Sequence, residues 1–217
     1  MKKIAVILAG CGVYDGSEVN EVVLSLLSIE QQGAQYQCFA PDIEQMHVVN
    51  HLTGAVSENE RRNVLVEAAR IARGHIKAIS ELRVEEFDGM IIPGGFGAAK
   101  NLSDFAVTGA QMKVQEDLLG LARAMHRAKK PIGLICIAPT MAAAICGAQV
   151  KCTIGNDEET AAAINHMGAE HIDCAVDSSV VDSKNKLVTT PAYMLTGKIN
   201  DAYKGIQHCI NNLLAMC

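Results

Sequence analysis

Short runs of consecutive apolar residues recur along the chain, each followed by a longer stretch whose apolar positions return every three or four residues. That alternation predicts strands and amphipathic helices in turn, the pattern of a mostly parallel sheet. Residues 4–8 read as a first buried strand. Residues 18–32 read as a helix whose stripe comprises Val19, Val22, Val23, Leu26, Leu27 and Ile29, stopped by Gly33. A second strand, 35–39, closes at Ala40-Pro41. Residues 42–62, polar and holding Gly54 and two histidines, read as a surface excursion. A helix is expected over 63–73, a short strand over 76–79, and a buried strand over 87–92 that runs into Pro93-Gly94-Gly95-Phe96-Gly97. A helix over 113–128 leads to a further apolar run. Beyond it come a strand at 150–153, a helix at 158–167, a hairpin around 182–185 and a final helix over 197–214. With no internal repeat, low-complexity tract or Pro/Ser-rich linker, residues 1–217 read as one α/β domain.

The apolar run before residue 136 ends abruptly: Ile132-Gly133-Leu134-Ile135-Cys136-Ile137-Ala138-Pro139-Thr140. A single cysteine stands at a strand end, and Pro139 suits the first position of an alanine-rich helix over 140–146. This is the pattern of a nucleophile elbow. A thiol against a helix N-terminus is expected to favour the thiolate that attacks carbonyls. The alternative is a buried core cysteine.

In an open α/β sheet, ligands sit beyond the carboxyl ends of the strands. Three loops leave such ends: 10–21, 93–97 and 136–139. The glycines after residue 93 let backbone approach a ligand, and an oxyanion formed at a carbon attacked by Cys136 needs N–H donors. Gly94, Gly95 and Ile137 are the candidates, the N–H groups of Gly95 and Ile137 foremost. Glu18 and Glu21, three apart, share a helix face. Asp15-x-x-Glu18 fits a capping box, which accounts for Glu18 structurally. Glu21 lies beside the apolar stripe and is the favoured acid/base partner of the thiol, with Glu18 as runner-up. Of seven histidines, only His47 and His51 are placed to fold over such a rim, and neither follows the cysteine.

Composition removes several classes. Aromatics are 4% with no Trp, and the net charge is −5, which argues against nucleic-acid binding. No apolar run is long enough for a membrane span. The segment before Cys11 imitates a lipoprotein signal but is too short for one. The eight cysteines lack C-x-x-C or zinc spacing, so they read as reduced thiols of a cytoplasmic protein, with no metal expected. Gly10-Cys11-Gly12 followed by Gly16 has one residue too many for a dinucleotide fingerprint, so no nucleotide cofactor is expected.

Taken together, Glu18-x-x-Glu21, Asp88-Gly89-Met90-Ile91-Ile92-Pro93-Gly94-Gly95 and Ile135-Cys136-Ile137-Ala138-Pro139-Thr140 resemble the ThiJ/PfpI superfamily. The resemblance implies a three-layer, flavodoxin-like, class I glutamine amidotransferase-like sandwich with a nucleophile elbow. The stretches 10–18, 94–102 and 188–194 resemble the ElbB-type branch, named for enhanced lycopene (isoprenoid) biosynthesis and described as glyoxalases. By position, Cys136 corresponds to the elbow cysteine and Glu21 to a neutral glutamic acid that touches it. Proteolytic relatives place a histidine directly after the cysteine, where this chain has Ile137, and nothing after Cys136 supplies the amidotransferase His-x-Glu. The resemblance therefore implies a cofactor-independent glyoxalase acting on a small 2-oxoaldehyde, in a homodimer. The alternative is a cysteine redox sensor or accessory protein, with Cys11 as a resolving thiol, or a deglycase or chaperone.

Overall fold

A computed structural model describes residues 1–217. The chain runs β1 (Lys3–Ile7), α1 (Val19–Gln31), β2 (Gln35–Ala40), α2 (Val64–Ile71), β3 (Ile76–Ala78), β4 (Gly89–Ile92), α3 (Phe96–Lys100), α4 (Phe105–Thr108) and α5 (Glu116–Arg127). It continues through β5 (Ile132–Ile135), α6 (Ala142–Cys146), β6 (Lys151–Cys152), α7 (Glu158–His166), β7 (Glu170–His171), β8 (Val180–Asp182), β9 (Leu187–Thr190) and α8 (Ile199–Met216). Seven strands form one sheet in the order β3-β2-β1-β4-β5-β9-β8. All its pairings are parallel except β8 with β9, the hairpin expected near residue 182. The strand expected at 150–153 exists but stands outside this sheet. As β6 it pairs with β7 in a separate two-stranded sheet.

β4 and β5 are buried at every position, as strands covered on both faces must be. One apolar cluster, including Phe39, Phe87, Met90, Leu118 and Met125, fills the face under α5. The other, including Ile4, Val22, Ile29, Ile91, Ile206 and Leu213, fills the face under α1 and α8. The result is helices, sheet, helices: the three-layer arrangement expected from the sequence. Residues 42–62 form no helix or extended strand, only isolated bridges such as Val49 with Val56.

Two local expectations change. Asp15 is not the N-cap of α1; Glu18 is, its Oε2 accepting the Glu21 N–H at 2.7 Å. Asp15 instead turns its Oδ2 to the Val49 N–H at 2.7 Å and ties the loop after β1 to the 42–62 excursion. Beyond Cys136 the chain does not enter an α-helix at Thr140. It makes a 3₁₀ turn over Ala138–Met141, with Pro139 in its first turn, before the five-residue α6.

Candidate active site

At Cys136 the buried β5 turns sharply, and the residue takes φ +62°, a region non-glycine residues rarely occupy. Such a conformation costs on the order of 1–3 kcal/mol and persists only where its surroundings enforce it. Here the Cys136 N–H donates to the Thr190 carbonyl at 2.9 Å, locking the turn to the end of β9. The thiol is 8% exposed. The backbone N–H groups of Gly95 and Ile137 act on its sulfur, favouring the charged form.

Gly94 has a different task. Its N–H donates to Glu21 Oε2 at 2.8 Å and is not free for a substrate. A Cβ there would fall 2.4 Å from Cys136 Cβ and 2.7 Å from Glu21 Oε2. Only glycine lets thiol and carboxyl close on each other. At Gly95, φ is +91° and a Cβ would lie 2.3 Å from the Glu18 backbone nitrogen.

Glu21 is fully buried, one turn into α1. Its Oε1 accepts the Tyr193 N–H at 3.3 Å, and its Oε2 and the Cys136 sulfur flank the point a Gly94 Cβ would occupy, 2.7 and 2.9 Å from it. Burial, reinforced by the nearby Glu18 charge, raises its pKa to about 8. At pH 7 it is a neutral acid beside sulfur. The expectation of a readily ionised thiol is corrected. Burial first, then the Glu21 charge, pushes the Cys136 thiol well up, and the Gly95 and Ile137 donors only oppose this. The helix behind it is too short to reverse the balance. Glu18 is committed to capping α1, and burial raises its carboxyl as well.

The histidines do not complete a triad. His51 Nδ1 lies 3.0 Å from the Val49 carbonyl, and its Nε2 accepts the Tyr14 N–H at 3.2 Å, so one nitrogen serves its own excursion and the other the loop after β1. His47 has a buried Nδ1 without a partner, beside a similarly unpartnered Gln45 Oε1. Cys11 answers to Glu67, Arg70 and Asp15, none of which acts on Cys136. No group of three or more His, Cys, Asp or Glu is placed to hold a metal ion.

Sequence reasoning missed Tyr193 and Asn20. Tyr193 follows Ala192, a second strained residue at φ +43°, and the Asn20 Nδ2–H donates to its hydroxyl at 3.1 Å. The signal available was Pro191-Ala192-Tyr193, directly after the strand that pairs with β5. Two clefts lie elsewhere: one of about 740 Å³ is lined by Lys151, Glu170 and Asp182, and one of about 730 Å³ by Val23, Leu27 and Tyr36.

A mostly parallel sheet carrying a cysteine elbow against a buried glutamate on the first helix defines a class: the DJ-1/ThiJ/PfpI-type, class I glutamine amidotransferase-like fold. Drosophila melanogaster DJ-1beta superposes with a TM-score of 0.56 at 16% identity over 99% of this chain and 95% of its own, a likeness of fold alone. A crystal structure from Ehrlichia chaffeensis, described as an isoprenoid biosynthesis protein with an amidotransferase-like domain, is much nearer. Its TM-score is 0.93, with 40% identity over 100% of this chain and 99% of that one. The human protein named glutamine amidotransferase-like class 1 domain-containing protein 3, mitochondrial, is 44% identical over 99% of this chain and 83% of its own length. The rat ES1 protein homolog, mitochondrial, is likewise 44% identical, over 99% of this chain and 84% of its own. No family model matches the chain. The chain belongs to the ES1 family of glutamine amidotransferase-like class 1 domain proteins.

The cytoplasmic placement expected from the sequence is overturned by these relatives, since the rat, human and zebrafish proteins are all named mitochondrial. That expectation rested on reduced cysteines in a chain with its own core and no recognised targeting segment, and free thiols do not tell one reducing compartment from another. No helix is long and apolar enough to cross a membrane.

Proposed function

We propose that the chain is an ElbB-type, glutathione-independent glyoxalase that converts a small 2-oxoaldehyde to a 2-hydroxy acid, glyoxal to glycolate or methylglyoxal to lactate. The observation that carries this reading is the buried Glu21 carboxyl, neutral at pH 7 and set beside the Cys136 sulfur across Gly94. A proton-shuttling acid in contact with a nucleophile is what an internal oxidation–reduction of an aldehyde requires. The shielded thiol, outside the large clefts, suits a two- or three-carbon substrate.

The reactive form is the pair that has lost one proton. Cys136 sulfur adds to an aldehyde carbon while Glu21 protonates its oxygen, giving a hemithioacetal and a Glu21 carboxylate. Gly95 and Ile137 N–H groups steady the oxygen as charge passes through it. Glu21 then takes the C–H proton. After a proton shifts between the two oxygens of the enediolate, Glu21 returns its proton to the neighbouring carbon, leaving a thioester. Water adds to the acyl carbon and gives its proton to Glu21, and the thiolate leaves. With no histidine to activate that water, turnover is slow.

The test is conversion of glyoxal to glycolate without glutathione by wild type, Cys136→Ser and Glu21→Gln. Loss of turnover in both variants is expected; an inactive wild type contradicts the reading and shifts the weight to the redox or accessory role. A homodimer is proposed as the working state, because Val19, Val23 and Leu27 form an exposed apolar stripe along α1. Light scattering reads its mass directly.

A further inference from the structure

The reaction proposed above needs two oxygens held, and the donors around Cys136 account for one of them. Gly95 and Ile137 N–H groups act on the sulfur and, in this reading, serve the oxygen of the attacked carbon. The next two candidates are already spent: the N–H groups of Gly94 and Tyr193 bond the two oxygens of Glu21. The second oxygen, which carries charge when the C–H proton leaves, still lacks a partner. The Tyr193 side chain supplies what the backbone does not. Its hydroxyl accepts the Asn20 Nδ2–H at 3.1 Å and donates to no protein group, so its own hydrogen is uncommitted.

Its position is set by the elements that build the site. The end of β9 gives its Thr190 carbonyl to Cys136 and, three residues on, the Tyr193 N–H to Glu21. One strained turn thus holds both reacting groups. Asn20, on the helix that carries Glu18 and Glu21, fixes the phenol from the other side. The ring is half-buried against the apolar cluster that fills the face under α1 and α8. Burial, and then the Glu18 and Glu21 charges, push the phenol up, so it stays protonated as a donor.

We propose that Tyr193 is a further catalytic residue, its hydroxyl donating a hydrogen bond to the substrate oxygen next to the attacked carbon. This assignment rests on the glyoxalase reading. Tyr193 keeps its proton throughout: the C–H proton goes to Glu21 and returns to carbon, and the phenol only stabilises the enediolate between those transfers. A donor that strengthens as charge develops lowers kcat more than it raises KM.

The experiment is glyoxal turnover by Tyr193→Phe, which keeps the ring and the backbone N–H and removes only the hydroxyl. Thermal melting and the rate of Cys136 alkylation by iodoacetamide are measured beside it. The expected result is a kcat lower by about 10- to 100-fold, with KM, melting and alkylation rate near wild type. Turnover within about twofold of wild type overturns the assignment and leaves the glyoxalase reading standing. A loss of turnover matched by an equal loss of alkylation rate also overturns it, since the hydroxyl would then support the elbow and not the substrate. A wild-type protein that neither turns over glyoxal nor forms a Cys136 adduct by intact mass overturns both.

Discussion

Two cysteines stand on the same rim of the sheet, Cys11 after β1 and Cys136 after β5, with β4 between those strands. Both follow buried apolar runs, and Cys11 is the more exposed. Exposure alone would favour Cys11 as the reactive one. The structure distributes chemistry the other way. Cys136 is forced to positive φ, is acted on by the Gly95 and Ile137 N–H groups, and has the Glu21 carboxyl beside it across Gly94. Cys11 has charged neighbours of both signs, Glu67 and Asp15 against Arg70, and its thiol is pushed up chiefly by burial. A strand-end thiol becomes a reaction centre through the groups that touch it; rim position supplies only the opportunity.

The contrast breaks most sharply by substitution at the two thiols. Cys136→Ser is expected to abolish glyoxal turnover, and Cys11→Ser is the bland control treated last. Next comes Glu21→Gln, which is expected to cost about 10²–10⁴-fold in turnover and to remove one pH-dependent part of the fold's stability. The sign follows from the raised carboxyl. The unfolded chain ionises near 4.5 and the folded one near 8, so the folded state holds an extra proton between those values. Glu21's contribution to stability is fully present below pH 4.5 and is lost as pH rises to 8. At pH 7 this amounts to roughly 3 kcal/mol against the fold, which glutamine removes. Melting curves of both proteins from pH 4 to 8 check this: the difference should grow with pH.

Gly94→Ala sharpens the comparison by separating the thiol from its acid. The added methyl would intrude between Cys136 and Glu21, costing about 1–3 kcal/mol through overpacking and about 100-fold in turnover through misplacement. The smallest effect is expected of Cys11→Ser, which should leave turnover within about twofold, because its neighbours are not those of Cys136. Steady-state kinetics on the two variants measures both.

The middle of the sheet was legible because β1, β4 and β5 are nearly continuous apolar runs, and α1, α5 and α8 lie within a few residues of the expected ranges. The predicted α1 stripe is split, however: Val22 and Ile29 are buried while Val19, Val23 and Leu27 are exposed, and Glu21, Ser25 and Ser28 take buried positions. Cys136, Glu21 and Gly95 were legible because an elbow, a helix face and a glycine turn are local patterns. What failed was non-local or energetic. β6 and β7 are two residues each, too short to show which sheet they join. Asp15 looked like a cap until its carboxylate was seen bonded to Val49, a partner in a loop without periodicity. The state of the Cys136 thiol depends on burial from all sides, which spacing does not encode. Tyr193 reaches Glu21 through a backbone bond across 172 positions, made by a turn whose strain at Ala192 has no signature in residue type.

The central claim is that Cys136 and Glu21 share one proton economy. The most direct test follows the rate of Cys136 alkylation from pH 6 to 10 in wild type and Glu21→Gln. In wild type the pair should lose its first proton near pH 8, and the rate should rise there. In Glu21→Gln that inflection should vanish, leaving only a later rise set by the buried thiol itself. Superimposable profiles for the two proteins would contradict the account.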